Sequence, residues 1–105
     1  MRIAMASTGN TLESKIDTSF GRCNYYVIYD KSNGGVEFLP NPNRNMEEGA
    51  GQASVTLLAS RFVSKIVSGE FGLKIKPVLD SLKIQMIVVN DRELTVQNVL
   101  EMLNH

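Results

Sequence analysis

The stretch that decides the fold is "YYVIYDKSNGGVEFLP", residues 25–40. Aromatic and β-branched residues dominate residues 25–30, a composition that favours a β-strand. Residues 36–40 begin with alternating apolar and polar side chains and end at a proline, which predicts a second strand. Between them lie Asn33 and Gly34, residue types that readily adopt the positive φ of a tight hairpin turn. The stretch therefore predicts two neighbouring antiparallel strands.

A further strand and a long loop precede this hairpin. The apolar run "IAMA", residues 3–6, is typical of a buried central strand. About 15 residues then lead to the hairpin, and connections of that length in small domains are usually functional or disordered. Phe20 argues for an ordered loop, because a large apolar side chain needs a pocket. Two interpretations remain open: a loop that forms a site, and an Ω-loop that packs on itself.

Helical and strand patterns alternate after the hairpin. Ala50, Ala53, Leu57 and Leu58 recur at a spacing that places them on one face of a helix. The run "QMIVVN", residues 85–90, has a continuously apolar centre, as in a buried parallel strand. In chain order, the predicted elements are a helix from Gly49, a strand at 62–68, a helix at 73–82, a strand at 85–90 and a final helix capped by Thr95.

This order predicts one α/β domain over residues 1–105. A meander followed by alternating helices and strands favours a mixed five-stranded sheet of order 3-2-1-4-5, with strand 2 antiparallel and helices on both faces. The carboxyl ends of the other strands then share one edge, where open α/β sheets bind ligands, here between strands 1 and 4. Six of the eight glycines fall at that edge: Gly9, Gly21, Gly49, Gly51, Gly69 and Gly72.

Charge and composition exclude several classes of function. Eleven basic residues balance eleven acidic ones, so no overall field attracts nucleic acid or an anionic membrane. The apolar runs are far too short to span a bilayer, and the first residues do not form a signal peptide. A single cysteine excludes an internal disulfide. We therefore expect a cytoplasmic protein.

Few residues have the chemistry of a catalytic or metal site. Cys23 is the only cysteine and His105, the last residue, is the only histidine, which disfavours a catalytic pair and cannot complete a tetrahedral metal site. Cys23 remains open as one ligand to a cofactor that brings its own ligands, as one ligand to a cluster shared between subunits, or as a packed thiol. Asp17, Glu70 and Asp91 approach the predicted edge, but strand 1 lacks the carboxylate that a two-metal nuclease needs.

Glycine-rich turns offer a different kind of binding. The segments "GAG" at 49–51 and "GEFG" at 69–72 each precede a predicted helix, where backbone N–H groups bind anions. Neither segment matches a P-loop or a dinucleotide fingerprint. Arg22 and Arg44 are able to add charge-assisted hydrogen bonds.

Residues 1–30, "MRIAMASTGNTLESKIDTSFGRCNYYVIYD", together with "NPN" at 41–43 and "GAG" at 49–51, resemble the dinitrogenase iron–molybdenum cofactor biosynthesis family. The most specific part is "S.FGR", residues 19–22. The resemblance implies a ribonuclease H-like three-layer fold, which agrees with the element order. It also implies relatives that bind or carry the iron–molybdenum cofactor or its iron–sulfur precursors, in a context related to nitrogen fixation, and it implies no catalysis.

The combined prediction is a non-enzymatic binding or carrier protein for an iron–molybdenum or iron–sulfur cofactor, acting in metal-cluster assembly. Its expected partners are the metal–sulfur cofactor and another iron–sulfur assembly protein, without nucleic acid or membrane. Cys23 is the expected metal ligand, and Arg22 with the amides near the glycines is expected to hold the negative charge. The alternatives are a metal-free interaction or regulatory module and a phosphate- or nucleotide-binding domain. The predicted cofactor-binding residues are Gly21, Arg22, Cys23, Gly49 and Gly51.

Overall fold

Five strands and three helices form across residues 1–104, which the computed structural model describes. Their order, β-β-β-α-β-α-β-α, is the predicted one. None of the helices in this range is long and apolar enough to cross a membrane. The elements are β1 (Arg2–Ser7), β2 (Tyr25–Asp30), β3 (Gly35–Pro40), α1 (Ala50–Ser60), β4 (Val63–Ser68), α2 (Ile75–Ser81), β5 (Gln85–Val88) and α3 (Val96–Leu103).

The strands form one mixed sheet of order β3-β2-β1-β4-β5, which confirms the predicted order. β2 runs antiparallel to both β1 and β3, whereas β1, β4 and β5 are parallel. At the centre, Met5 of β1 lies opposite Val27 of β2 on one side and Val67 of β4 on the other. The apolar run in β1 is buried because β1 has a neighbouring strand on each side and helices on both faces.

Alternate residues of the strands build two cores, one on each face of the sheet. On one face, α1 and α2 pack over a core that includes Ala4 and Ile66. On the other, α3 packs over a core that includes Ile3 and Val27. Strand side chains point alternately to opposite faces, so one sheet serves both cores. The predicted ribonuclease H-like three-layer arrangement is confirmed.

The buried face of α1 differs from the predicted one. Ala50 and Leu58 are buried as expected, but Ala53 and Leu57 are only half-buried. The other buried positions are Val55 and a serine, Ser54. The Ser54 hydroxyl can be buried because the Asn43 side-chain amide donates to it at 3.4 Å. An apolar pattern alone could not identify a face that includes a hydroxyl with a partner.

Two strand predictions were wrong at their ends. Phe62 was expected to begin β4, but it lies in the turn before it, with φ 62° and 81% of its surface exposed. β5 was expected to be a buried strand over residues 85–90, but it ends at Val88, and Gln85 and Val88 are exposed. β5 is an edge strand with a neighbouring strand on one side only. Its continuous apolar run therefore does not mean that the strand is fully buried.

Candidate functional site

The first loop, residues 8–24, covers the carboxyl ends of β1 and β4. The backbone N–H of Asp17 donates to the Ala6 carbonyl at 2.8 Å, and the N–H of Gly69 donates to the Asp17 carbonyl at 2.9 Å. The loop backbone thus occupies the crevice between β1 and β4, where a ligand was expected. This corrects the expected position of the site, because a cleft at this edge must lie farther out, over the ends of the helices.

Phe20 anchors the end of this loop. It is 2% exposed and stacks on Phe71, with ring centroids 5.3 Å apart. The Tyr26 ring lies 5.7 Å away, and its hydroxyl donates to the Phe20 carbonyl at 2.5 Å. The expected pocket for Phe20 is therefore present, and the loop is ordered.

Residues 41–47, which we call the strap, connect the hairpin to α1 and lie against the first loop. The Asn41 side-chain amide donates to the carbonyls of Gly21 and Cys23, at 3.0 and 2.9 Å. Its side-chain oxygen accepts from the Asn43 N–H at 2.9 Å. Asn41 thus fixes the "FGRC" turn to the start of the strap. Sequence analysis did not select it, although "NPN" was part of the family resemblance.

Arg22 ties the other end of the strap to the same turn. One guanidinium nitrogen, Nη1, donates to the carbonyls of Arg44 and Met46, at 3.1 and 2.6 Å. Nη2 donates to the Glu47 carbonyl at 3.2 Å. The predicted anion-binding role of Arg22 must therefore be weighed against a role in holding the chain just before α1.

A cleft of about 890 Å³ opens beside these contacts. The end of the first loop, the start of α1 and the turn before α2 surround it. Four of the five predicted site residues, Gly21, Arg22, Gly49 and Gly51, line this cleft, whereas Cys23 does not. Its lining residues are 19–22, 48–52 and 72–75.

Glycines allow the walls of the cleft to approach closely. A Cβ atom on Gly21 would lie 2.9 Å from the Gly51 nitrogen, closer than real side chains come to backbone. Gly49 is the N-cap of α1, with φ 75° and no side-chain cap. The N–H groups of residues 50–52 have no acceptor within the helix, as at every helix start. The cleft wall therefore presents backbone donors at the positive end of a helix dipole.

The complete sequence matches the dinitrogenase iron–molybdenum cofactor family, over residues 1–105. The chain belongs to this family. The predicted family is thereby confirmed. An uncharacterised Methanocaldococcus jannaschii protein, MJ0580, is 30% identical over 93 aligned positions. The alignment covers 86% of this chain and 75% of MJ0580.

Solved structures related to this family member support the same fold. The apo form of the orange protein from Desulfovibrio gigas superposes with a TM-score of 0.89 at 25% identity. A Thermotoga protein described as a candidate NifB protein superposes with a TM-score of 0.82 at 26% identity. Each comparison covers 98% of this chain and 86% of the other chain.

Cys23 of this family member is a packed thiol in the observed conformation. It is fully buried, and its Sγ donates to the Phe20 carbonyl at 3.5 Å. Burial raises the pKa of Cys23 to about 12, so the thiol stays protonated at neutral pH. Metal ligation requires the thiolate. The geometry favours the packed-thiol interpretation, while the ligand role of Cys23 stays a prediction.

The candidate acidic ligands do not converge either. Within residues 1–104, no group of three or more histidine, cysteine, aspartate or glutamate side chains is arranged to hold a metal ion. The Asp17 carboxylate accepts from the Ser19 N–H, and the Asp91 carboxylate accepts from the Glu93 N–H, each at 2.9 Å. These two carboxylates stabilise turns. His105 lies outside the described residues.

The buried Cys23 predicts a loss of stability at alkaline pH. Its pKa rises from an ordinary 9.0 to about 12, so the folded state keeps the proton after the unfolded state has lost it. This contribution is fully present below pH 9 and decreases as pH rises from 9 to 12. At pH 10 the expected cost is about 1.4 kcal/mol of unfolding free energy.

Urea unfolding of wild type and Cys23→Ala at pH 7.5 and pH 10 measures this cost. Burial, the largest cause, also raises the pKa of Tyr26 in both proteins, and the smaller part of that shift that comes from Cys23 is absent from Cys23→Ala. Wild type should lose more stability than Cys23→Ala between the two pH values. If both proteins lose the same unfolding free energy between these pH values, the pKa of Cys23 is not raised in the folded state.

Proposed function

We propose that this protein is a small, non-enzymatic carrier of an anionic metal–sulfur cofactor or precursor, of the iron–molybdenum or iron–sulfur class. The cargo is held in the cleft at the start of α1. The observation that carries the proposal is this cleft: a member of the dinitrogenase iron–molybdenum cofactor family places glycine backbone from three separate segments around an opening of about 890 Å³.

Backbone groups supply most of the binding chemistry. The N–H groups of residues 50–52 are free of helical acceptors, and a helix start favours negative charge. Gly21, Gly49, Gly51 and Gly72 line the cleft without side chains, so a bulky group can approach the main chain directly. These features support recognition of an anion by its outer atoms.

The donor set fits a cargo that keeps its own metal ligands. Of the described residues that line the cleft, none is a histidine or cysteine, and Glu48 supplies the one carboxylate. Cys23 lies outside the cleft with a protonated thiol. Hydrogen bonds and charge, rather than direct coordination by side chains, would therefore hold the metal–sulfur cargo. Any redox or ligand-exchange reaction would then take place on the cargo itself. An iron–sulfur assembly protein would be the donor or recipient.

Anaerobic titration with isolated iron–molybdenum cofactor tests this function, beside reconstitution with iron and sulfide. Bound metal is measured after gel filtration. Gly72→Leu should fill the cleft and abolish binding, and its Cβ meets nothing closer than 3.8 Å. Circular dichroism must show that this variant is folded. Thr56→Leu, on the exposed side of α1, places the same side chain away from the cleft and should bind like wild type. Cys23→Ala should also bind, provided that its circular dichroism shows a folded protein.

Two outcomes would contradict the proposal. If wild type binds metal from neither source, the metal-free interaction module replaces the carrier. If Cys23→Ala loses binding while Gly72→Leu keeps it, the thiol is the ligand and the cleft is not the site. Addition of ATP or inorganic phosphate as competitor tests the phosphate alternative, since the same amides would bind either anion.

A further inference from the structure

We infer that Lys74 is the residue that recognises the negative charge of the cargo, whereas Arg22 is a positioning residue that holds the cleft wall in place. The inference rests on the carrier function proposed above. It reverses the role that sequence analysis gave to Arg22 and assigns one to Lys74, which sequence analysis did not consider. Of the basic residues within residues 1–104, these two line the cleft.

The guanidinium of Arg22 is already engaged. Its three hydrogen bonds to strap carbonyls use both terminal nitrogens. Bonds from a charged donor to carbonyl oxygens are worth more than ordinary ones, so these three bonds fix the orientation of the guanidinium. They use three of its five N–H donors, and only the second N–H of Nη2 and the N–H of Nε are left to meet a cargo. The strap leads directly into Glu48 and Gly49, which line the cleft. Arg22 thus acts on the cargo through the position of the α1 start.

Lys74 differs from Arg22 in its contacts and not in its exposure, since both side chains are exposed. It is exposed and lines the cleft, and none of the four ion pairs found within residues 1–104 includes it. Two residues along the chain, Lys76 pairs with Asp80 at 2.8 Å and does not line the cleft. The Lys74 ammonium can therefore turn toward an anion without giving up an ion pair.

The position of Lys74 in α2 gives an independent argument. Lys74 is the N-cap residue, without a side-chain hydrogen bond to the helix. Serine, threonine, aspartate and asparagine are preferred at an N-cap, and positive charge is unfavourable at a helix start. Lys74 is therefore poorly suited to stabilise α2, and its removal should not weaken the fold. The adjacent Leu73 is 97% exposed, so the segment just before α2 projects toward solvent at the edge of the cleft.

Glu48 provides a charge of opposite sign in the same lining. Its carboxylate repels an anionic cargo, so Glu48→Gln should strengthen binding while Lys74→Gln weakens it. Opposite changes in affinity from these two substitutions would show that the cleft recognises charge, because a general disturbance of the cleft wall would weaken binding in both variants.

Anaerobic titration with isolated iron–molybdenum cofactor at two ionic strengths tests the inference. Lys74→Gln should weaken affinity about tenfold and reduce its salt dependence, and Lys74→Arg should largely restore both. Lys76→Gln, the matched control, should bind like wild type. Arg22→Gln should lower the melting temperature by about 4–8 °C and reduce the salt dependence of binding less than Lys74→Gln does, whereas Lys74→Gln should not lower the melting temperature.

The possible failures are distinguishable. If wild type does not bind, the carrier function itself is overturned, and this inference with it. If wild type binds and Lys74→Gln matches Lys76→Gln, only the role of Lys74 is overturned. If Arg22→Gln loses affinity and salt dependence at an unchanged melting temperature, Arg22 is the recognition residue and the assignment is reversed.

Discussion

Replacing Phe20 by alanine is expected to lower the free energy of unfolding by about 4 kcal/mol, the range seen when a buried phenylalanine is removed. The ring is almost fully buried and packs between Phe71 and Tyr26. Its removal leaves a cavity under the end of the first loop, next to the cleft. Urea denaturation followed by circular dichroism measures the loss.

The matched control for this change is Phe62→Ala. Phe62 is also a phenylalanine, but 81% of its surface is exposed, so its removal creates no cavity. We expect a change within about 0.5 kcal/mol, as for ordinary surface substitutions. If the two variants are destabilised equally, the packing of Phe20 does not hold the first loop.

Gly69→Ala is expected to cost about 3 kcal/mol, at the upper end of overpacking effects. A Cβ at Gly69 would lie 2.6 Å from the Thr18 Cα and 3.3 Å from the Asp17 carbonyl oxygen. Both are backbone atoms, so no side-chain rotation can relieve the contact. The first loop would have to move away from the end of β4 and lengthen its hydrogen bond with the Gly69 N–H. Thermal and urea unfolding report the cost.

Gly72→Ala provides the control within the same turn. Its Cβ would lie 3.8 Å from the nearest atom, Cγ1 of Ile75, at an ordinary contact distance. The alanine should therefore be tolerated, with stability close to that of wild type. A similar loss in both variants would mean that the turn needs glycine for backbone freedom rather than for close approach to Thr18.

The sheet order could be predicted because it depends on local signals. The Asn33–Gly34 turn fixes the hairpin, and the alternation of helix and strand patterns after Gly49 leaves few ways to connect a sheet. The burial of individual elements was less predictable, since it depends on neighbours far away in sequence. β5, for example, has the apolar composition of a buried strand but lies at the edge of the sheet.

The candidate site was predicted in part for the same physical reason. Glycines before helices indicate where backbone donors are exposed, and the structure brings Gly21, Gly49 and Gly51 to one cleft. The contacts of Arg22 and Asn41 are bonds to backbone carbonyls 18 to 25 residues away, and any residue type provides a carbonyl. No residue pattern encodes such partners, so sequence analysis assigned Arg22 to the ligand and did not select Asn41.

The burial of Cys23 also bears on how this protein responds to oxidants. Thiolates, not thiols, react with peroxide and with other disulfides, and a buried thiol with a raised pKa offers little thiolate. In air, the folded protein should resist sulfenic acid formation and disulfide-linked dimers. Under the carrier function proposed above, oxygen damage to a loaded sample would then fall on the cargo, while the empty protein would stay reduced and able to bind cargo again.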